Sequence, residues 1–298
     1  MVGQTARLDQ LCIVSVNDAV FAAAVSAGNV LQIAGTGTTM FVGLLDTTIP
    51  AGANLTGTNL HVVTGINTLG SGVVTVSLVG DSPDGVAVFD NDADINADGA
   101  VTVTASTRMS TGGDITSTDD NVTITTVTVV LTKSITVDTG PGIGDIVVDS
   151  RIDGTTTNSQ SLTLDAGTGG PLTVTGSIGA STAINTFTVV DSNGAEIGTL
   201  DTDYIVADTL VYIIQSQTDV LVRFNDGVKT PQVNADAAAY HLQFAVSGTN
   251  VGTDMGSDYL SAILRNTGVA SFGDGSSDIL LFQSGVQVFT ASSVEMYG

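Results

Sequence analysis

The sequence predicts an all-β protein, a parallel β-helix or β-solenoid of short strands, with β-sandwich domains as the alternative. Three features carry that expectation. Hydrophobic residues make up 42% of the 298 positions, yet aromatics only 5%, and there is no Trp. The core must therefore come from Val, Ile, Leu and Ala; Val and Ile, with Thr, favour pleated backbone because their branched Cβ is stiff. The 35 glycines supply turns between strands. Long polar helix formers are nearly missing: Glu stands only at Glu196 and Glu295, and Lys only at Lys133 and Lys229.

Along the chain, residues 1–27 are Ala-rich and read as a strand plus cap, as expected where a solenoid must hide an open end. Within it, Cys12 in Leu11-Cys-Ile-Val14 reads as a small core residue. Residues 28–200 form the repeat region. Segments such as Val73-Val-Thr-Val-Ser-Leu78, Val101-Thr-Val-Thr104, Val122-Thr-Ile-Thr125 and Leu172-Thr-Val-Thr175 put apolar residues at every second position. That period turns one face inward and a Thr or Asp face outward. Two segments end alike, Ile135-Thr-Val-Asp-Thr-Gly140 and Leu162-Thr-Leu-Asp-Ala-Gly167, which marks a repeated unit. Residues 201–259 lose the strict alternation and carry Tyr204, Tyr212, Tyr240 and Tyr259; they read as an irregular insertion or a small β domain. The run Asn234-Ala-Asp-Ala-Ala-Ala-Tyr240 is the candidate for a short helical turn there. Residues 260–298 return to the repeat, at Ile279-Leu-Leu-Phe282 and Val286-Gln-Val-Phe289.

Acidic residues outnumber basic ones 30 to 7, for a formal charge of −23. Affinity for nucleic-acid phosphates comes from Lys and Arg releasing counterions, so nucleic acid is not an expected partner. No apolar run reaches the length of a membrane-spanning helix. A single cysteine excludes an internal disulfide framework.

Several phrases resemble the filamentous-haemagglutinin-like family of large bacterial surface exoproteins, β-helical repeat adhesins. They are Gly28-Asn-Val-Leu-Gln-Ile-Ala-Gly-Thr-Gly-Thr-Thr39, Gly113-Asp-Ile-Thr-Ser-Thr-Asp-Asp-Asn-Val-Thr-Ile124, Gly144-Asp-Ile-Val-Val-Asp-Ser-Arg-Ile-Asp-Gly-Thr-Thr156 and Asn266-Thr-Gly-Val-Ala-Ser-Phe-Gly-Asp274. The resemblance covers residues 28–199 and 264–289. It implies an exported β-helix displayed at the cell surface or in an extracellular matrix. It further implies adhesion or fibre building, by self-association into a filament or lattice, without catalytic residues. The alternatives are a β-helix that binds or cleaves surface glycans, and a calcium-stiffened lattice or coat subunit.

The metal candidate is Asp94-x-Asn96-x-Asp98-Gly99, whose oxygen spacing matches the first half of a calcium loop. The closing acid is missing, because the twelfth position is Ala105, and the flanks read as strands. A solvated turn is the competing reading. Ca²⁺ is the one candidate cofactor. His61 and His241 have no acidic or Cys neighbour at a telling spacing, and no Gly-x-Ser-x-Gly elbow is present, so the expectation is that the protein is not an enzyme. Outward Thr-x-Thr pairs, as at Thr102, Thr104, Thr123 and Thr125, have the pattern of ladders that order water on an ice-like lattice. The irregular sequence between the pairs favours plain exposed strands instead.

Overall fold

The computed structural model describes residues 2–3, 6–198, 205–225, 227–245, 261–272, 286–288 and 291–296. Within them the chain is all-β, with no helix, and coils as a β-solenoid of about 11 turns. Every strand pairing is parallel, and each strand lies on its counterpart one coil away. Coil length varies: Leu8 pairs with Ala27, 19 residues on, whereas Gly65 pairs with Asp94, 29 residues on.

Three ladders run along the stack. The first contains Ala53–Gly57, Val74–Leu78, the start of Val101–Gly112, the start of Val122–Leu131, and Leu172–Val174. The second contains Thr38–Phe41, Asn59–Val62, Val86–Asn91 and the second half of Val101–Gly112. The third contains Leu45–Thr47, Gly65–Thr68, Asp94–Asn96, Ile115–Thr116, Ile135–Asp138 and Leu162–Asp165. Long strands serve two ladders by bending between them. Val101–Gly112 does so where its register shifts between Ala105 and Arg108, and Val122–Leu131 does so between Thr125 and Thr128.

The alternation read from the sequence places the core. In the first ladder Val74, Val101, Val122, Ile146 and Leu172 stack one on another, and all are buried. Each such side chain contributes about 1.5–3 kcal/mol by leaving water. Two residues further along the same strands, in the column of Val174 and Ile197, the later coils carry rings: Phe224 stacks on Phe244 at 5.2 Å and Phe244 on Phe272 at 5.5 Å, nearly parallel. The two Asp-x-Gly endings prove to be successive rungs, with Asp138 over Asp165. Each carboxylate accepts the N–H of its own following glycine, Gly140 at 2.7 Å and Gly167 at 3.0 Å. Gly167 has φ +63°, and a Cβ there would lie 2.1 Å from the Gly140 carbonyl oxygen of the coil beside it. Only glycine fits a turn that is both left-handed and stacked this closely.

Three expectations change. The described part of 201–259 is no insertion: Ile205–Ile213, Leu221–Phe224, Gln232–Ala235 and His241–Phe244 pair in register with coils on either side. The alternation is weaker there because Tyr, Gln and Asn replace Thr outside, while the inward positions stay apolar. Asn234 and Ala235 lie in a strand and the following residues form a bend, so the helical turn is absent. Tyr240 is wholly buried, and burial pushes its phenol pKa up. Cys12 is exposed. It lies over Leu31 in the outward row, because strand parity turns its neighbours Leu11 and Ile13 toward the core side. Residues 1–27 themselves pair as coils of the stack, through Leu8–Ile13 and Ala19–Phe21. Tyr204, Tyr259 and the segment 279–282 lie outside the described residues.

Candidate functional site

A solenoid interrupts its ladders at every corner, and the amides there need acceptors. Short carboxylates and amides supply them from the neighbouring coil. Asp18 accepts the Thr38 N–H (2.9 Å), Asp94 that of Asp114 (2.9 Å), Asp114 that of Thr136 (2.7 Å) and Asn121 that of Asp145 (2.9 Å). Asp119 accepts the Gly142 N–H at 2.6 Å, and Asp153 accepts those of Ser181 (2.8 Å) and Thr182 (3.2 Å). The abundance of Asp over Glu follows from this geometry, since the shorter side chain reaches a backbone one coil away without excess freedom.

The candidate calcium residues belong to this system. Asp94 and Asn96 share the outward side of strand Asp94–Asn96, and Asp98 lies in the turn beyond. Asp94 bonds to the Asp114 amide and Asn96 accepts the Thr116 hydroxyl at 3.0 Å, both in the next coil. Asp98 turns the other way and accepts the Ser71 amide at 2.7 Å. No group of three or more His, Cys, Asp or Glu side chains able to hold a metal occurs among the described residues. A bridging role makes two expectations for differential scanning calorimetry. Asp98→Ala should lower stability by about 1 kcal/mol, and a chelator should leave the wild-type midpoint where it was.

On the third ladder the outward row Asp46, Asn67, Asn96, Thr116, Asp138, Asp165 is in register throughout. Asn67 donates to Asp46 at 3.0 Å, and Arg7 pairs with Asp46 at 2.6 Å. Where amides give out, carboxylates face each other: burial first, then repulsion from Asp138 and Asp191, raises the pKa of Asp165 against the lowering bond from Gly167. An acid whose folded pKa is raised holds its proton more tightly in the fold. Stability is therefore lost as pH rises from the ordinary carboxylate value through the raised one. Asp165→Asn should accordingly raise the melting midpoint at pH 7 and leave it unchanged at pH 3, where both forms are neutral.

The second face carries an open trough. One part, of about 310 Å³, is lined by Asn59, His61, Pro83, Val86, Asp90 and Arg108. It shares Val88 and Asp90 with a part of about 480 Å³ that reaches Asn91, Ser110 and Thr132. His61 Nε2 lies 2.9 Å from Asp90 Oδ1, both side chains partly exposed. This pair is invisible at the spacing of 29 residues until the coil offset that sets Val88 on His61 is known. His241, by contrast, accepts the Val269 N–H through Nδ1 at 3.0 Å. Arg108 is the one basic side chain among the described residues without a protein partner.

No helix among the described residues is long and apolar enough to cross a membrane. No protein-family model, no curated protein and no solved structure matches the chain.

Proposed function

We propose that the chain is a non-enzymatic structural or adhesive protein of the cell exterior, acting as a length of fibre that extends by stacking further coils. One observation carries this reading. Every described strand pairs in parallel with a counterpart one coil away, so each coil presents to its neighbours the same kind of ladder edge that it receives. Such edges template the addition of another strand. A second copy, or further coils of a longer chain, would continue the same ladders. The resemblance to surface exoproteins supports a place outside the cell. Electron microscopy of the purified protein tests the reading: filaments or end-joined rods are expected. Single particles of one coil stack at every concentration tried would overturn it.

A second reading rests on the trough. Asn59, His61, Asp90 and Arg108 offer planar donors and acceptors beside Val86 and Val88, a mixture suited to the hydroxyls and ring faces of a surface glycan. Binding of neutral oligosaccharides that is lost in Arg108→Ala would favour it.

A further inference from the structure

The Thr pairs that look scattered in sequence are brought together by the coil register. On the first face Asn54, Thr75, Thr102 and Thr123 form one outward row, and Thr56, Ser77, Thr104 and Thr125 form the next. The irregular stretches between them are spent in the other two faces and the corners, so they do not interrupt the array. All eight residues are half-buried and uncharged. The array ends in the following coil, where Val147 and Asp149 take the two positions.

The hydrogen bonding separates this face from the others. Outward polar groups of the third face bond one another across rungs, as Asn67 does to Asp46 and Thr116 to Asn96. The hydroxyls of Thr56, Thr75, Ser77, Thr102, Thr104, Thr123 and Thr125 have no protein partner among the described residues. They are left free to bond to water. Successive rungs stand about 4.8 Å apart and the two rows about 6.7 Å apart, a regular two-dimensional grid of hydroxyls on the scale of the oxygen spacing in ice. Buried Leu55, Val76, Val103 and Ile124 lie between the rows and hold the backbone. An array fixed in advance binds an ordered surface with little further loss of side-chain freedom, and first-shell waters then carry the contact. The array itself has no aromatic side chain on which a sugar ring could stack and no charge to impose its own hydration shell; the charged side chains of this ladder, Asp149, Glu196 and Arg223, lie in later coils.

We propose that this face binds ice, through the four-rung array of Thr, Ser and Asn. The proposal is independent of fibre formation and needs no second copy. Nanolitre osmometry on the full chain tests it. The wild type is expected to shape ice crystals and show concentration-dependent thermal hysteresis. Thr104→Lys and Thr123→Tyr, each placing a bulky group in one row, should reduce hysteresis at least fivefold with circular dichroism and melting midpoint unchanged. Thr136→Lys, on the third face beside Asp114, should leave it intact. The two array substitutions stand on different rungs, so misfolding of one leaves the other to decide. Absence of hysteresis and ice shaping in the wild type, or their survival in a folded array variant, would overturn the proposal.

Discussion

Replacing Phe244 with alanine is expected to destabilise the fold by about 3–5 kcal/mol. The ring is 3% exposed and stacked between Phe224 and Phe272, one from each adjacent coil. Its strand is hydrogen-bonded on both sides, to Leu221–Phe224 and to Val269–Phe272. The coils are thus held at the ladder spacing and cannot collapse into the space left. Because each coil contacts mainly its neighbours, the loss falls on the two interfaces that Phe244 bridges rather than on the whole stack. Melting should therefore split, with the coils C-terminal to Phe244 unfolding first. Calorimetry together with limited proteolysis checks this. A single transition at the wild-type midpoint would show that the ring stack contributes little.

Asp153→Ala should be the most damaging change at a corner, at about 3 kcal/mol. Its side chain is 6% exposed, accepts the amides of Ser181 and Thr182, and lies 2.8 Å from Arg151 Nε. Alanine leaves two backbone donors without an acceptor, each costing about 1–3 kcal/mol if it stays buried. Arg151 adds less, since its half-exposed guanidinium can turn to water. Asp153→Asn keeps a carbonyl for the amides and should cost markedly less. Urea denaturation compares the two; equal losses would mean that the ion pair rather than the bridge matters. Both changes test the same architecture, one from inside the coils and one from between them.

That architecture also gives the candidate calcium residues a bridging role between coils. Asp94, Asn96 and Asp98 have loop-like spacing along the chain, but a strand and a turn send their bonds to two different coils. Oxygen spacing in sequence describes a site only when the backbone curls around one point.

The sequence by itself determined what depends on neighbours two residues away. Val-Thr-Val-Thr alternation gave strands, assigned inward and outward faces, and identified Asp-x-Gly as a repeated ending. Even at Cys12, parity was readable, but the apolar company of Leu11 and Ile13 disguised it. Only the tertiary structure decided what depends on the coil offset. Because coils run from 19 to 29 residues, no fixed period sets Asp90 beside His61, Asp18 against the Thr38 amide, or Thr75, Thr102 and Thr123 in one row. Ladder hydrogen bonds and the stacking of buried Val, Ile and Leu fix that register, and with it every surface on which this protein can act.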